Sequence, residues 1–158
     1  MTITTHIKFD GVEGESTHAD HKGEIAVENW SWGVSNPPAV GTASGVASGK
    51  AVPGNFHFMH LYDKASPILA KQCAAGKRIK TAVLSARKAG EGQKDFLKIT
   101  LTDVMVSSAA ASAAGEGVFE SIALTYAQIA ISYQPQNATG GLGSAVAFDW
   151  NIKTGKIG

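Results

Sequence analysis

The chain has 158 residues, enough for one domain with a sizeable hydrophobic core. Its composition is 44% hydrophobic and 17% charged with a formal net charge of +1, which excludes a disordered or membrane-embedded chain. No apolar run reaches membrane-spanning length, so no membrane insertion is expected. No basic start followed by an apolar run marks a secretory signal, so export would need a signal-independent route. Cys73 is the only cysteine, which excludes an internal disulfide and favours a reducing compartment.

Strand patterns separated by turn signals run along the whole chain. Alternating or short apolar runs predict strands at 2–9, 24–35, 56–62, 79–88, 95–106, 119–133 and 146–152. The strands at 24–35, 95–106 and 119–133 change the parity of their apolar positions midway, as a β-bulge would cause. Repeated bulges curl a sheet. The pattern therefore predicts an all-β barrel or sandwich in a single domain, residues 1–158.

One short helix is predicted in SPILAKQCAAGK, residues 66–77. Ser66 suits the N-cap, Pro67 the first turn and Gly76 the C-terminal cap. Three segments rich in small or turn-forming residues are predicted as loops: 10–23, 36–55 and 107–117. A loop as long as 36–55 inside a compact domain is either functional or disordered.

Two of the three tryptophans stand two positions apart in the strand at 24–35. Side chains at i and i+2 share a face of a strand, so Trp30 and Trp32 point to one side and Ser31 to the other. The first side is expected to be packed, because tryptophan is usually a core or interface residue. The side that carries Ser31 is expected to face something small or solvent.

The charges are unevenly distributed. Residues 71–98 carry eight of the 14 basic residues, and residues 10–28 carry six of the 13 acidic ones. Nucleic-acid binding is one interpretation of the basic segment, but neither a motif nor a high pI supports it. A solvated surface is the second interpretation. In the third, unlike surfaces meet between copies of the chain, a heterologous contact that closes into a ring or extends as a filament.

Histidines and carboxylates are the candidate sites of chemistry in this sequence. His18 and His21 flank Asp20, but this stretch is predicted as a loop and lacks a full set of zinc ligands. His57 and His60 lie on opposite faces of a predicted strand and would not share a metal easily. A hydrolase that uses either of them with Asp63 would also need a nucleophile and an oxyanion loop, and the sequence offers neither.

Sequence motifs for nucleotides and nucleophiles are incomplete. GVASGK at 45–50 lacks the glycine and the hydroxyl residue of a phosphate loop, because Ser44 and Ala51 occupy those positions. GLGSAV at 141–146 leads into a strand instead of a helix, so it is no dinucleotide fingerprint. Cys73 lies in the predicted helix among apolar neighbours, which is typical of packing. No catalytic residue, metal or cofactor is therefore predicted.

Six short motifs together resemble one known family. They are GVEGES (11–16), WSWGVS (30–35), DKASP (63–67), ARKAG (86–90), FLKITLTDVMVSS (96–108) and YQPQ (133–136). In this order they resemble the haemolysin-coregulated protein (Hcp) family of bacterial type VI secretion. Each motif is weak alone, but the set is specific and the resemblance spans residues 7 to about 153.

The resemblance implies a β-barrel of two packed antiparallel sheets with one short α-helix at its side and an extended hairpin loop. It implies six copies closed into a ring, with rings stacked into a hollow tube inside a contractile sheath. It implies a spike protein and effectors as further partners, with effectors sheltered in the lumen, and no catalysis. It also implies a bacterial cytoplasmic protein that is then secreted through the type VI machine. The chain ends soon after its last strand, so no fused toxin domain is expected.

The resemblance also implies roles for particular residues. Trp30, Trp32 and Trp150 would anchor the barrel core, and Ser31, on the opposite face, would face the channel. The loop at 36–55, with Pro37, Pro38, Gly45 and Lys50 as candidate contacts, would reach a neighbouring subunit or ring. The prolines depart from the family pattern, because proline lacks the N–H that a sheet ladder uses. The alternative interpretation is a monomeric β-barrel that binds a soluble ligand or carbohydrate.

Overall fold

The computed structural model describes residues 2–42, 45–48, 50–90 and 92–158. Within them lie one helix, α1 (Ser66–Ala75), and fourteen strands. The strands are β1 (Ile3–Phe9), β2 (Ile25–Val27), β3 (Asn29–Ser31), β4 (Val34–Ser35), β5 (Pro38–Thr42), β6 (Gly45–Ser48), β7 (Val52–Pro53), β8 (Phe56–Leu61), β9 (Arg78–Lys88), β10 (Leu97–Ala114), β11 (Gly117–Thr125), β12 (Gln128–Tyr133), β13 (Val146–Asn151) and β14 (Lys156–Ile157).

The 18-residue strand β10 belongs to two antiparallel half-sheets. Its first part pairs with β9 and β12, and the strand order of this first half-sheet is β14-β13-β12-β10-β9-β1-β2. Its second part pairs with β11, and the order of the second half-sheet is β10-β11-β8-β3. The all-β class, the two antiparallel sheets and the single short helix are thus confirmed.

The expected closure into a barrel is wrong for the strands that the structure describes. There β2 pairs with β1 and β3 pairs with β8, so the ladder changes partner at Glu28 between them. The backbone N–H of Glu28 already donates to the carbonyl oxygen of Met59, at 2.8 Å. The parity change near Glu28 and Asn29 is therefore a change of partner strand and not the bulge that the sequence suggested.

One hydrophobic cluster lies between the half-sheets. Phe9 of β1 and Phe58 of β8 join them, with ring centroids 5.9 Å apart and both side chains buried. Helix α1 contributes Leu69, which is fully buried, and packs beside β10. Burying an apolar side chain of this size stabilises the fold by about 1.5–3 kcal/mol.

Asp103 causes the parity change in β10. Its φ of +57° is the one positive value among the described residues other than glycine. The register with β9 is the same before and after it, because Thr102 pairs with Thr81 and Val104 with Ile79. A left-handed residue thus turns both Leu101 and Val104 toward the core without an inserted residue. Aspartate tolerates this conformation better than most side chains.

Two further local expectations are wrong. The segment 107–117 is largely strand and not a loop, because β10 continues to Ala114 and pairs with β11. Ala65, and not Ser66, is the N-cap of α1, although Gly76 ends the helix with φ +62° as expected. Strand β8 has one covered face, where Phe56, Phe58 and His60 are buried, and one open face, where His57 and Leu61 are exposed.

Candidate functional site

The outward face of the second half-sheet carries no lysine, arginine, aspartate or glutamate among its described residues. The register of β3, β8, β11 and β10 places the following side chains on it: Asn29, Ser31, His57, Met59, Leu61, Phe119, Ser121, Ala123, Ser108, Ala110 and Ser112. We call this surface the neutral face. A groove of about 570 Å³ runs along it, between Asn29, His57 and Ser121 among others.

Ser31 lies on this neutral face and is exposed. Its cross-strand partner is His57 of β8. The preceding residue, Trp30, points to the opposite side, where its ring stacks on that of Phe56 with centroids 5.8 Å apart. The alternation inferred from the sequence therefore places Ser31 on the open side of the sheet and Trp30 on the packed side.

The tryptophans differ in how deeply they are placed. Trp150 of β13 is 6% exposed and belongs to the hydrophobic cluster. Trp30 and Trp32 are half-buried and pack against the edge of that cluster. The indole N–H of Trp32 donates to the hydroxyl of Tyr126, which in turn donates to the carbonyl oxygen of Gly54 at 2.7 Å. Burial raises the pKa of the Tyr126 hydroxyl, so it stays protonated and available as a donor.

An apolar surface continues the core beyond the covered part of the first half-sheet. It consists of Trp32, Val34, Ile131, Tyr133, Val146 and Phe148, and we call it the edge patch. Val146 is 69% exposed and Tyr133 is 46% exposed. Ile129 and Trp150, further along the same two strands, are buried. A contiguous exposed apolar surface of this kind is typical of an interaction site.

The segment 36–55 forms a long hairpin in the residues described there. β5 pairs with β6, and below them β4 pairs with β7 at the root. The N–H of Gly54 donates to the carbonyl oxygen of Gly33 at 2.9 Å. Pro37 and Pro38 lie at the start of the hairpin and are exposed, as is Lys50 near its return, while Gly45 begins β6.

The acidic and basic segments contact each other within one chain. The guanidinium of Arg87 donates to Asp20 and to Asp95, each at 2.7 Å. Lys64, which precedes the basic segment, also contacts the acidic one: its ammonium lies 3.5 Å from Glu13, and its backbone N–H donates to Glu15. Part of the charge complementarity that the sequence suggested between copies is therefore satisfied inside the fold.

The histidines considered as sites of chemistry lie in two separate clusters. His21 stacks on His6 with His18 tilted beside them, but across the described ranges no group of three histidine, cysteine or carboxylate residues is arranged to hold a metal ion. His60 is fully buried, with Nε2 2.9 Å from Glu120 and Nδ1 3.9 Å from Asp63. His57 lies on the opposite face, so the proposed histidine–aspartate pair does not form an open catalytic site.

Two residues of these clusters were missed in the sequence. Glu120 alternates in step with Ile122 and Leu124, which point into the core. The sequence could therefore have predicted that the Glu120 carboxylate is buried. His6 left no such signal, because it lies on the outward face of β1 and is buried only by the loop that folds over it. Burial under a loop depends on tertiary structure that a strand pattern does not contain.

The chain is an all-β protein whose main candidate functional sites are two exposed surfaces, the neutral face and the edge patch. Residues 6–133 match the family model described as "Type VI secretion system effector, Hcp". The chain is 38% identical over 157 residues to protein hcp1 of Pseudomonas aeruginosa, covering 97% of each chain. The crystal structure of Hcp1 from Salmonella typhimurium is 31% identical with a TM-score of 0.80, covering 99% of both chains. A solved type six secretion system protein is 28% identical with a TM-score of 0.91, covering 99% of this chain and all of that one.

The chain therefore belongs to the Hcp family, the tube proteins of type VI secretion. The resemblance drawn from the six motifs is confirmed. In the part of the chain that the structure describes, no helix is long and apolar enough to span a membrane.

Proposed function

We propose that six copies of this chain close into a ring, that rings stack into a hollow tube, and that the lumen holds effector proteins during export. The tube would be assembled in the bacterial cytoplasm and leave through the type VI machine with its spike protein, inside the sheath. Family membership over nearly the whole chain supports the general role. The neutral face is the observation on which we base the proposal that this surface lines the lumen.

The neutral face suits the wall of a channel through which different proteins pass. Charged residues make up 17% of the chain, yet none of the residues that define this face is a lysine, arginine, aspartate or glutamate. A fixed charge would hold some cargo and repel other cargo, because like charges across an interface cost several kcal/mol. Ser31 on this face leaves room for cargo and offers one hydroxyl for hydrogen bonding.

Contacts between copies would use surfaces outside the neutral face. The edge patch offers apolar area of the kind that the core of a subunit interface requires. The hairpin at 36–55, with Pro37, Pro38, Gly45 and Lys50, would reach a neighbouring subunit or ring. Closure of a ring needs a heterologous contact, in which two different surfaces of one chain meet. The proposed activity is assembly and transport and includes no catalytic step.

Native mass spectrometry at low and moderate salt tests assembly. Six copies of the 16.4 kDa chain would have a mass of about 98 kDa. A species of that mass under both conditions supports the ring. A clean monomer at micromolar concentration under both conditions would contradict it and favour a monomeric all-β protein that binds a soluble ligand.

Replacing Val146 by glutamate tests the edge patch. A buried carboxylate would oppose docking of a second copy, so we expect the ring to give way to smaller species. Ile157→Glu is the matched control, because Ile157 is 61% exposed and lies outside the patch. Equal loss of the ring in both variants, or in neither, would remove the edge patch from the proposed interface.

Replacing Ser31 by glutamine tests the lumen. The longer side chain would occupy the channel, so co-purification of an effector expressed with the ring should fall while the mass of the ring is unchanged. Ser144→Gln is the control, since Ser144 is an exposed serine between β12 and β13. Unchanged effector retention in rings of Ser31→Gln would contradict the placement of Ser31 in the lumen.

A further inference from the structure

A cluster of three imidazoles and one guanidinium lies between the first half-sheet and the loop that connects β1 to β2. His6 and His21 are stacked, with ring centroids 4.8 Å apart, and His18 lies 5.3 Å from His6. The Arg87 guanidinium approaches Nε2 of His21 at 3.2 Å. His6, His21 and Arg87 are each less than 8% exposed. Three of the four basic side chains are therefore buried on an otherwise outward face, and His18 is half-buried beside them. Side chains of this kind are seldom buried unless they are paired.

The loop that covers the cluster, residues 13–24, is bonded mainly to itself. Gly14 donates to Gly23, Gly23 to Ser16 and Ser16 to Glu24 through backbone hydrogen bonds of 2.8–2.9 Å. Buried Val12 and Ile25 fix its two ends in the core. We call this unit the clasp loop. It can move as one piece, since little of its backbone bonding has to break.

Side chains hold the clasp loop against the first half-sheet. Asp20 accepts a hydrogen bond from Arg87 of β9, and Nε2 of His21 lies 3.1 Å from Asp95 on the segment before β10. Nδ1 of His21 lies 2.9 Å from Glu24 within the loop itself. Hydrogen bonds from Arg87 lower the pKa of Asp20. Burial opposes ionisation of Asp95, but hydrogen bonds from Arg87 and His21 outweigh it and lower the pKa of that carboxyl too.

His6 differs from His21 and Arg87 because, among the residues that the structure describes, no carboxylate lies within hydrogen-bonding distance of it. Its Nδ1 is buried and has no hydrogen-bond partner among the described residues. The groups that face it are His18 and His21 from the clasp loop, Arg87 from β9 and, further away, Asp95. Three of these four groups carry or can acquire positive charge. A proton added to His6 would therefore be buried among cations.

We propose that the His6, His18, His21 and Arg87 cluster is an acid-sensitive latch, which holds the clasp loop over β1 and β9 at neutral pH and releases it when His6 takes up a proton. Release exposes the outward face of β1 and β9 and moves Glu13 and Glu15 away from Lys64, which they contact in the closed form. The acidic surface of the protein is thereby rearranged while the core stays folded.

The size of the effect follows from linkage. Burial, reinforced by His21, His18 and Arg87, lowers the pKa of His6 from 6.5 to about 4 in the closed form. If the open form restores the ordinary value, the ratio of open to closed molecules rises roughly 70-fold between pH 7.5 and pH 4.5. The carboxylates that hold Arg87 lose protons more readily than usual, so they do not act as the trigger.

Hydroxyl-radical footprinting of the assembled protein at pH 7.5 and pH 4.5 tests the latch. The readout is oxidation of buried His21, divided by that of exposed His57 in the same sample to remove the intrinsic effect of pH on imidazole reactivity. While the open form is rare, the ratio of His21 to His57 oxidation is proportional to the population of the open form. We therefore expect this ratio to be tens of fold higher at pH 4.5 than at pH 7.5. Core Phe58 should stay protected, and near-ultraviolet circular dichroism should be unchanged.

The variant His6→Gln removes the trigger and leaves His21 as the reporter. We expect its His21 oxidation ratio to change less than about threefold over the same pH range, since no buried imidazole is left at position 6 to take up the proton. A wild-type ratio that does not rise would overturn the latch. So would exposure of Phe58 together with His21, which indicates global unfolding, or an equal rise in a folded His6→Gln protein.

Discussion

His60 and Glu120 face each other directly across strands β8 and β11, with Nε2 of His60 2.9 Å from Oε1 of Glu120. Both side chains are almost completely buried, at 0% and 3% exposure. The pair lies on the core side of the second half-sheet, behind the neutral face. A buried polar pair fixes strand register, because a slip of one strand by one residue would separate the two partners and turn the slipped strand's side chain to the other face.

Removing the carboxylate from this pair should be costly. Glu120→Ala leaves His60 buried without its partner, and we expect the free energy of unfolding to fall by about 3–5 kcal/mol. Glu120→Gln keeps a hydrogen bond of similar length and should cost about 1–2 kcal/mol. Urea denaturation followed by far-ultraviolet circular dichroism measures both. Glu116→Ala, at an exposed position in the β10–β11 turn, is the control and should change stability by less than 0.5 kcal/mol.

Stability should depend on pH through His6. Its pKa is about 4 in the folded protein against 6.5 normally, so the unfolded chain takes up the proton first as the pH falls. Neutral His6 therefore makes its full contribution to the free energy of unfolding above pH 6.5. As the pH falls toward 4, that free energy decreases progressively by about 2–3 kcal/mol. The difference in unfolding free energy between wild type and His6→Gln, measured by urea denaturation from pH 7.5 to pH 4, isolates this term. A difference that does not change with pH would contradict it.

Asp103 should accept glycine and reject a β-branched residue. Glycine reaches a positive φ at no steric cost, so Asp103→Gly should stay within about 1 kcal/mol of wild type despite losing contacts to Arg78 and Lys153. Asp103→Val combines the wrong backbone preference with the same losses and should cost at least about 2 kcal/mol. Thermal denaturation of the two variants compares them. Equal destabilisation would mean that the ion pairs, and not the backbone conformation, determine the choice of residue.

Tyr126 should be required for the root of the hairpin at 36–55. Tyr126→Phe leaves the indole N–H of Trp32 and the carbonyl oxygen of Gly54 without this partner, and we expect a loss of about 1–3 kcal/mol in unfolding free energy. Tryptophan fluorescence should change because Trp32 loses its hydrogen bond. Tyr62→Phe is the control, at an exposed tyrosine that follows β8. The idea fails if Tyr126→Phe and Tyr62→Phe have the same stability.

The strand pattern predicted much of the fold because parity reports which side of a strand is packed. It placed His57 and His60 on opposite faces of β8 and found the change of parity in β10. It could not assign the cause, since a left-handed Asp103 and an inserted residue leave the same pattern. The stretch from Ser107 to Ala114 was predicted as a loop because alanine and serine have low strand propensity. Pairing with β11 overrides that propensity.

The candidate surfaces were less predictable than the strands. Ser31 was placed opposite Trp30 by alternation alone, and the structure has the same arrangement. The neutral face itself could not be read, because its members come from four strands whose register the sequence does not specify. The edge patch could not be predicted either, because the sequence does not show where the buried part of β12 and β13 ends. Contacts such as Arg87 to Asp20 depend on a loop that folds back over the sheet.

Strand β10 couples the two half-sheets mechanically. Its 18 residues run through both half-sheets, so a load applied to one half passes to the other along covalent peptide bonds. The strands nearest the two chain ends, β1 and β14, both belong to the first half-sheet, so a force on the ends acts on that half-sheet first and reaches the second through β10.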